Sequence, residues 1–343
     1  MKKLLNTLYV TTPDVYLSLD GENVVILRKD EVLLRVPLHN LESILTYGYT
    51  GVSPALMGAC AERKIALSFF TPSGRFIADI SGIEQGNVVL RRTQYRYADD
   101  FQKSTAISKN ILLCKLHNGR WVLERTIRDH GLRINIENVK AAILIIINSI
   151  KQLQHADDLE SMRGIEGVAA AAYFSVFDEM IMQSKESFFF RTRNRRPPLD
   201  NVNALLSFTY SILANDIASA IRAVGLDPFV GFLHRDKPGR RSLALDLLEE
   251  LRPIFADRFV ITLINNRKVS ASDFYTQENG AVRMKDDARK EFLNAWQTRK
   301  LEEIKHPYLN ESIEWGLVPH VQALLLARVL RGDLEEYPPF FWK

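Results

Sequence analysis

Residues able to do chemistry gather in two stretches of this 343-residue chain. In the first, Arg163-Gly164-Ile165-Glu166-Gly167-Val168 runs into four alanines and Tyr173. Glycines on either side of a single Glu let backbones approach closely around one carboxylate. The same pattern also suits tight helix packing, with Glu166 paired to an arginine. In the second stretch, Gly231-Phe232-Leu233-His234 precedes a basic loop and then Ser242-Leu243-Ala244-Leu245-Asp246-Leu247-Leu248-Glu249-Glu250-Leu251-Arg252-Pro253. Ser242 reads as an N-cap. Asp246, Glu249 and Glu250, spaced by three and four, are expected on one helical face, with Leu243, Leu247 and Leu251 on another. Acids stacked on one face repel, and a divalent cation relieves that repulsion. The alternative is a solvated acidic face tied to Arg252 and other cations. Taken together, one Glu, one His and an Asp/Glu pair make a mixed oxygen–nitrogen donor set. Carboxylates favour Mg²⁺ or Mn²⁺, and an imidazole tilts the choice toward Mn²⁺. Such an ion polarises a phosphodiester and lowers the pKa of a bound hydroxyl or water.

Other chemistries lose their usual signals. The chain has no HExxH, CxxC, Walker loop, GxGxxG or GxSxG. Its two cysteines, Cys60 and Cys114, cannot build a disulfide framework or a four-cysteine zinc site, and read as buried thiols. The balance of 45 Lys+Arg against 41 Asp+Glu is mild, but its distribution is not. Arg91, Arg92 and Arg96 interleave with Tyr95 and Tyr97. Arg191, Arg193, Arg195 and Arg196 follow Phe188-Phe189-Phe190, and Arg235, Lys237, Arg240 and Arg241 crowd one loop. Cations beside aromatics suit a phosphate backbone and stacked bases. Any one such run is otherwise a solvated charged face.

The elements that must position these residues change period near residue 86. Before it, short β-branched segments at 9–10, 15–19, 24–27 and 32–36 alternate with turns at Pro13-Asp14, Asp20-Gly21-Glu22-Asn23 and Lys29-Asp30. Ser53 and Pro54 open a helix through Arg63, and strands at 67–70 and 76–80 flank a Pro72-Ser73-Gly74 turn. After Gly86, helical periodicity recurs at 88–116, 120–130, 136–154, 157–185, 201–224, 242–265, 284–305 and 317–331. The expected fold class is α+β: a small β-rich N-terminal domain over residues 1–85, then a larger all-α catalytic domain over 86–343. The longest aliphatic run, Ala141 to Ile147, is far short of a membrane span. Met1-Lys2-Lys3 opens no export signal. A cytoplasmic protein without membrane contact is expected.

With these residues in place the sequence resembles the CRISPR-associated integrase family, the core nuclease of spacer acquisition and first of the numbered CRISPR-associated proteins. The resemblance spans nearly the whole chain. It rests on the Ser53 to Gly74 segment, Arg163 to Gly167, Arg196-Pro197-Pro198-Leu199-Asp200-Asn201-Val202-Asn203 through Ser207 with Tyr210, and Gly231 to His234 through Asp246 to Pro253. Length and flavour are closest to the type I-C branch. The resemblance implies a β-sandwich-like N-terminal domain, a helical catalytic domain, a homodimer, and a metal held by Glu166, His234 and Glu249. Asp246 matches a further acidic position needed for activity, and Glu250 lies beside the ligand position. The implied reaction is antiviral spacer insertion: a 3′-hydroxyl of a short double-stranded DNA attacks a phosphodiester of the CRISPR repeat, without ATP. A small ferredoxin-like second adaptation protein is implied to bridge two dimers. Arg195, Arg196, Arg240 and Arg241 are the expected DNA contacts. Apolar segments too numerous for residues 1–85 to bury point to a dimer through that domain, and the aromatic tail from Tyr337 to Trp342 is a further candidate for the partner. A nuclease on branched or repair DNA, and a non-catalytic DNA-binding scaffold, are the competing classes.

Overall fold

The computed structural model describes residues 7–29, 31–41, 43–48, 50–71, 76–80 and 87–342. The basic start at Met1, Asp30, the Pro72-Ser73-Gly74 turn and the Gly86 boundary lie outside the described residues. The chain forms two compact units. One holds residues up to 86 with Met284–Ile304 and Glu314–Leu317; the other holds Asn87–Arg283, Lys305–Ile313 and Val318–Lys343. The stretch expected as one continuous domain from residue 86 is thus divided between them.

In chain order the elements of the first 86 residues are β1 (Thr7–Val10), β2 (Tyr16–Asp20), β3 (Asn23–Arg28), β4 (Glu31–Pro37), β5 (Ser43–Tyr47), β6 (Gly51–Val52), α1 (Pro54–Arg63), β7 (Ala66–Phe70) and β8 (Phe76–Ile80). They make two four-stranded sheets, ordered β1-β5-β7-β8 and β4-β3-β2-β6. The β2–β3 turn closes through Gly21 at φ +58°, a left-handed position that glycine takes without strain. Ser53 caps α1 by accepting from the Leu56 N–H at 3.2 Å, and Pro54 occupies the first helical position. Val10, Leu17, Val24, Ile44, Leu56 and Leu67 share one buried cluster, so both sheets and α1 close on a single core. Strand β4 is a sheet edge whose Val32, Leu33 and Leu34 stay half exposed.

The remaining elements are α2 (Val88–Asp99), α3 (Phe101–His130), α4 (Ile136–His155), α5 (Leu159–Ser175), α6 (Asn201–Ala223), α7 (Ser242–Leu251), α8 (Arg258–Asn265), β9 (Phe274–Thr276), β10 (Val282–Met284), α9 (Asp286–Leu301), β11 (Glu303–Lys305), β12 (Ser312–Glu314) and α10 (Val318–Leu330). The fold is mixed α+β, mostly helical after residue 86, with β9–β10 and β11–β12 pairs where an all-helical domain was expected. The first long helix breaks at Asp100, not near 117. The Asp100 side chain accepts from the Lys103 N–H at 3.1 Å and caps α3. A π-helical segment, Arg252–Asp257, separates α7 from α8. Pro253 lies inside it and carries no N–H to continue an α-helical ladder.

Helix α6 is long and apolar enough to cross a membrane, but 67% of its apolar window is buried within the protein, as for a core helix. The aromatic tail folds onto its own helical unit. Tyr337 and Phe340 are buried, Asn118 donates to the Phe340 carbonyl at 2.9 Å, and the Trp342 N–H donates to Asn118 Oδ1 at 2.9 Å. Expected as a further candidate for partner contact, the tail instead has these two of its rings buried within the chain.

Candidate active site

Three elements and one loop bring the site together within the helical unit. Helix α5 carries Glu166, α7 carries Asp246 and Glu249, α3 contributes Lys115, and His234 stands on the loop before α7. That loop is held by Asp246, which is wholly buried. Its Oδ2 accepts the N–H groups of Phe232 at 2.6 Å and Leu233 at 3.0 Å, and its Oδ1 accepts that of His234 at 3.0 Å. Oδ1 also meets His234 Nδ1 at 2.6 Å. Gly231 allows this wrap: a Cβ there would lie 2.6 Å from Asp246 Oδ2 and 2.9 Å from the Ser242 backbone carbon. From α5, Arg163 donates to the Leu233 carbonyl at 2.5 Å, and Arg235 pairs with Glu160 at 2.5 Å.

With Nδ1 committed to a carboxylate, the ring of His234 presents Nε2, 4.0 Å from Glu249 Oε1. Glu249 is nearly buried, and its Oε1 pairs with Arg252 at 2.9 Å. Its Oε2 meets the Lys115 ammonium at 2.6 Å, and the same ammonium pairs with Glu166 Oε1. Burial pushes the Glu249 carboxyl up, but Arg252, then Lys115 and His234, outweigh it and hold it at about 2. Arg252 in turn lies over the Tyr210 ring, 4.9 Å from its centroid. Tyr210 and Tyr173 donate their hydroxyls to the buried Asp257 at 2.5 and 3.1 Å. Burial pushes Asp257 up to about 6, against the hydrogen bonds from both tyrosines and the nearby Arg252. A cavity of about 50 Å³ borders the cluster, lined by Lys115, Glu166, Arg195, Tyr210, Arg252 and Asp257 among others.

Several expectations change. Asp246, Glu249 and Glu250 do not stack toward one cation. Asp246 binds the loop, and Glu250 turns to the tail, accepting from the Tyr337 hydroxyl at 2.6 Å and from Gln322 and the Phe340 N–H at 2.9 Å each. Both carboxylate oxygens of Asp246 are thus engaged by backbone N–H groups and the His234 ring. Ser242 does not cap α7; it is the first helical residue, and its hydroxyl donates to the Arg235 carbonyl at 3.3 Å. Gly164 and Gly167 face open space, so close backbone packing is not what they serve. Glu166 pairs with a lysine and not an arginine. Of the expected DNA contacts, Arg195 and Arg196 are exposed, Arg240 approaches Ser242 Oγ at 3.4 Å, and Arg241 donates to Asn215 Oδ1 at 3.1 Å.

Lys115 and Asp257 escaped sequence reasoning, and Tyr173 and Tyr210 entered it only as members of motifs, without a role. No local signal marks Asp257 as the acceptor of both hydroxyls. As they stand, no three His, Cys, Asp or Glu side chains among the described residues are grouped to hold a metal ion. The Lys115 ammonium lies between Glu166 Oε1 and Glu249 Oε2 and pairs with both. The donor set itself fits a divalent ion. Two carboxylates converge with an imidazole whose second nitrogen is fixed by a carboxylate, and Glu249 Oε2 has no directed hydrogen bond beyond its ion pair.

Fold and site together define a mixed α+β protein whose helical unit carries a carboxylate–imidazole centre braced by buried cations. The family model described as CRISPR associated protein Cas1 matches residues 8–298. The chain belongs to the Cas1 family. It is 49% identical to CRISPR-associated endonuclease Cas1 1 of Chlorobaculum tepidum over 343 residues, covering 100% of both chains. It is 49% identical to CRISPR-associated endonuclease Cas1 2 of Rhodospirillum rubrum over 351 residues, again covering 100% of both. Among solved structures, a casposase bound to integration product has a similar fold, with TM-score 0.84, 22% identity, and 98% of this chain and 94% of that one covered. A Cas1 protein of Thermotoga maritima superposes with TM-score 0.81 at 20% identity over 97% and 99% of the two chains.

The Asp257 environment generates a pH prediction. A carboxyl raised from 3.8 to about 6 contributes stability that is present below the unfolded value and lost as pH rises through the folded one. Relative to Asp257→Asn, the wild type should lose about 2 kcal/mol between pH 4.5 and 7.5. Urea denaturation of both proteins at the two pH values measures it, and a pH-independent difference contradicts a raised Asp257.

Proposed function

We propose that this chain is a metal-dependent DNA endonuclease and integrase of CRISPR adaptation, inserting short DNA duplexes into the CRISPR repeat by 3′-hydroxyl attack on a phosphodiester. The observation that carries this reading is the convergence of Glu166, His234 and Glu249 from three separated segments. Membership of the Cas1 family, relatives named endonucleases and a fold neighbour described as a casposase bound to integration product support it. In this proposal Glu166, His234 and Glu249 hold Mg²⁺ or Mn²⁺, and Asp246 completes the catalytic set by orienting His234. The bound ion would supply charge stabilisation at the phosphate and lower the pKa of the attacking hydroxyl or water. The protein's own residues prepare that chemistry. Asp246 fixes the imidazole so that Nε2 is the ring atom left to ligate or to carry a proton. Arg252, held by Glu249 and the Tyr210 ring, keeps the Glu249 carboxylate ionised and aimed. One phosphodiester replaces another, so no nucleotide triphosphate is needed.

Glu166→Gln, His234→Ala and Glu249→Gln should each abolish Mn²⁺-dependent cleavage and strand transfer on branched and repeat-bearing DNA while keeping the wild-type circular dichroism spectrum. Asp246→Asn should lose about 10- to 100-fold, as for a group that orients a ligand. Full activity in Glu166→Gln sinks the assignment.

In the same proposal Arg195, Arg196, Arg240 and Arg241 contact DNA phosphates. Arg195 and Arg196 are the stronger members, both exposed and Arg195 lining the cavity, whereas Arg241 is held by Asn215. Removing one phosphate-binding arginine should reduce the log–log salt slope of duplex binding by about 0.9, alike for unrelated sequences. A slope unchanged in Arg195→Ala/Arg196→Ala removes these two from the interface.

The protein is further proposed to act in the cytoplasm, in the type I-C branch, as a homodimer joined through the β-rich unit. A small ferredoxin-like second adaptation protein bridges two dimers. The named assembly among the fold neighbours, a Cas6-RT-Cas1–Cas2 complex, supports such a partner. Exposed apolar residues on the β4 edge support the dimer, because an uncovered edge strand invites pairing. Leu33→Asp should shift the full chain toward monomer by light scattering; an unchanged dimer moves the interface elsewhere.

A further inference from the structure

Lys115 is the feature of the site that the proposed reaction does not use. It reaches from the middle of α3, with its side chain 16% exposed, and its ammonium touches both carboxylates that the metal would need. It lies 2.6 Å from Glu249 Oε2 and also pairs with Glu166 Oε1. A divalent ion bound to the same oxygens at about 2.0–2.2 Å would stand against that ammonium, with like charges in van der Waals contact. Both cannot occupy the place between Glu166 and Glu249.

The other cation on Glu249 is not free to yield. Arg252 is fixed by its 2.9 Å pair with Oε1 and by the Tyr210 ring 4.9 Å away. Lys115 differs on each count. Its four-carbon stem is flexible, its point charge needs no fixed plane, and the cavity of about 50 Å³ that it lines lies beside it.

We propose that Lys115 is a built-in counter-cation of the carboxylate pair, exchanged for the divalent ion when the site is loaded. This rests on the metal-site reading above. In the metal-free protein the ammonium neutralises two carboxylates that would otherwise repel across a poorly solvated gap. Loading then costs the displacement of that ammonium, so the free protein binds the ion more weakly than its donor set alone would. The displaced ammonium stays at the site and keeps a positive charge available to a phosphate entering beside the metal.

The test is calorimetric titration of the full chain with Mn²⁺ alone, together with thermal melting with and without Mn²⁺. Lys115→Met should melt below wild type in the absence of metal, gain more than wild type on adding Mn²⁺, and bind the ion roughly tenfold more tightly or better, since an uncompensated carboxylate pair gains most from a new cation. Lys115→Arg keeps the charge and should bind Mn²⁺ no more tightly than wild type. If Lys115→Met proves unfolded without metal, Lys115→Gln is titrated in its place with the same expectation. Unchanged or weaker Mn²⁺ binding in the neutral variants overturns the proposal, as does equal tightening in Lys115→Arg. Glu249→Gln separates the two readings. If neither it nor the neutral lysine variants alter Mn²⁺ binding, the metal site itself is misplaced; if Glu249→Gln alone weakens binding, only the role of Lys115 fails.

Discussion

The ionised Glu249 side chain, nearly buried in the helical unit, is the constraint from which the rest of the site follows. A carboxylate out of water must be compensated by cations or hydrogen bonds, or it takes up a proton. Here Arg252 and Lys115 do so directly and His234 lies at the edge of the same field. Each of these then needs its own support. Arg252 is braced by the Tyr210 ring, whose hydroxyl is anchored on Asp257. Lys115 is shared with Glu166, which ties α3 to α5. The chain of dependence runs from one buried charge through four helices, so the geometry of the site is set by electrostatics as much as by packing.

Asp246 and Glu250 show how neighbouring acids on one helix divide their labour. Asp246 behaves as a staple for the loop before α7, taking three backbone N–H groups and one imidazole nitrogen. Those bonds satisfy donors that a buried loop would otherwise leave unpaired. Glu250 does the same for the C-terminal tail. Burial pushes its carboxyl up to about 7, against donors from Tyr337, the Phe340 N–H and Gln322. Glu249, between them, faces Arg252, Lys115 and His234 instead. One turn of helix thus fixes a loop, a tail and a charge.

Much of this was legible in the sequence, for physical reasons. The cap at Ser53, the Asp20-Gly21 turn and the apolar repeat of α4 are local signals, and local chemistry made those elements. Glu166, His234 and the acidic group of Asp246, Glu249 and Glu250 stood out by type, and the resemblance singled out Glu249 among the three acids. The single-face reading of the three acids failed because periodicity says where a side chain starts, not what it bonds to. Backbone N–H groups from a loop twelve to fourteen residues away claimed Asp246. Lys115 was illegible since it sits 51 residues from Glu166 on an ordinary amphipathic helix. Nothing local separates it from a solvated lysine. The break at Asp100 was missed because hydrophobic periodicity continues across it, while a single capping carboxylate ends one helix and begins the next.

The π-helical segment after α7 connects these observations. A wider turn at Arg252–Asp257 rotates the residues that follow relative to an uninterrupted α-helix. Arg252 sits at its start and bonds Glu249, three residues back; Asp257 sits at its end and receives Tyr173 and Tyr210. In a regular helix, residues five apart lie about 140° from each other. Here both side chains serve the same Tyr210, Arg252 on its ring and Asp257 on its hydroxyl. Pro253 favours the irregular turn, because it withholds the N–H that an α-helical ladder would use at that point. The sequence Glu249-Glu250-Leu251-Arg252-Pro253 therefore encodes more than two adjacent acids. It places the carboxylate, its compensating guanidinium and the backbone irregularity that aligns them within five consecutive residues.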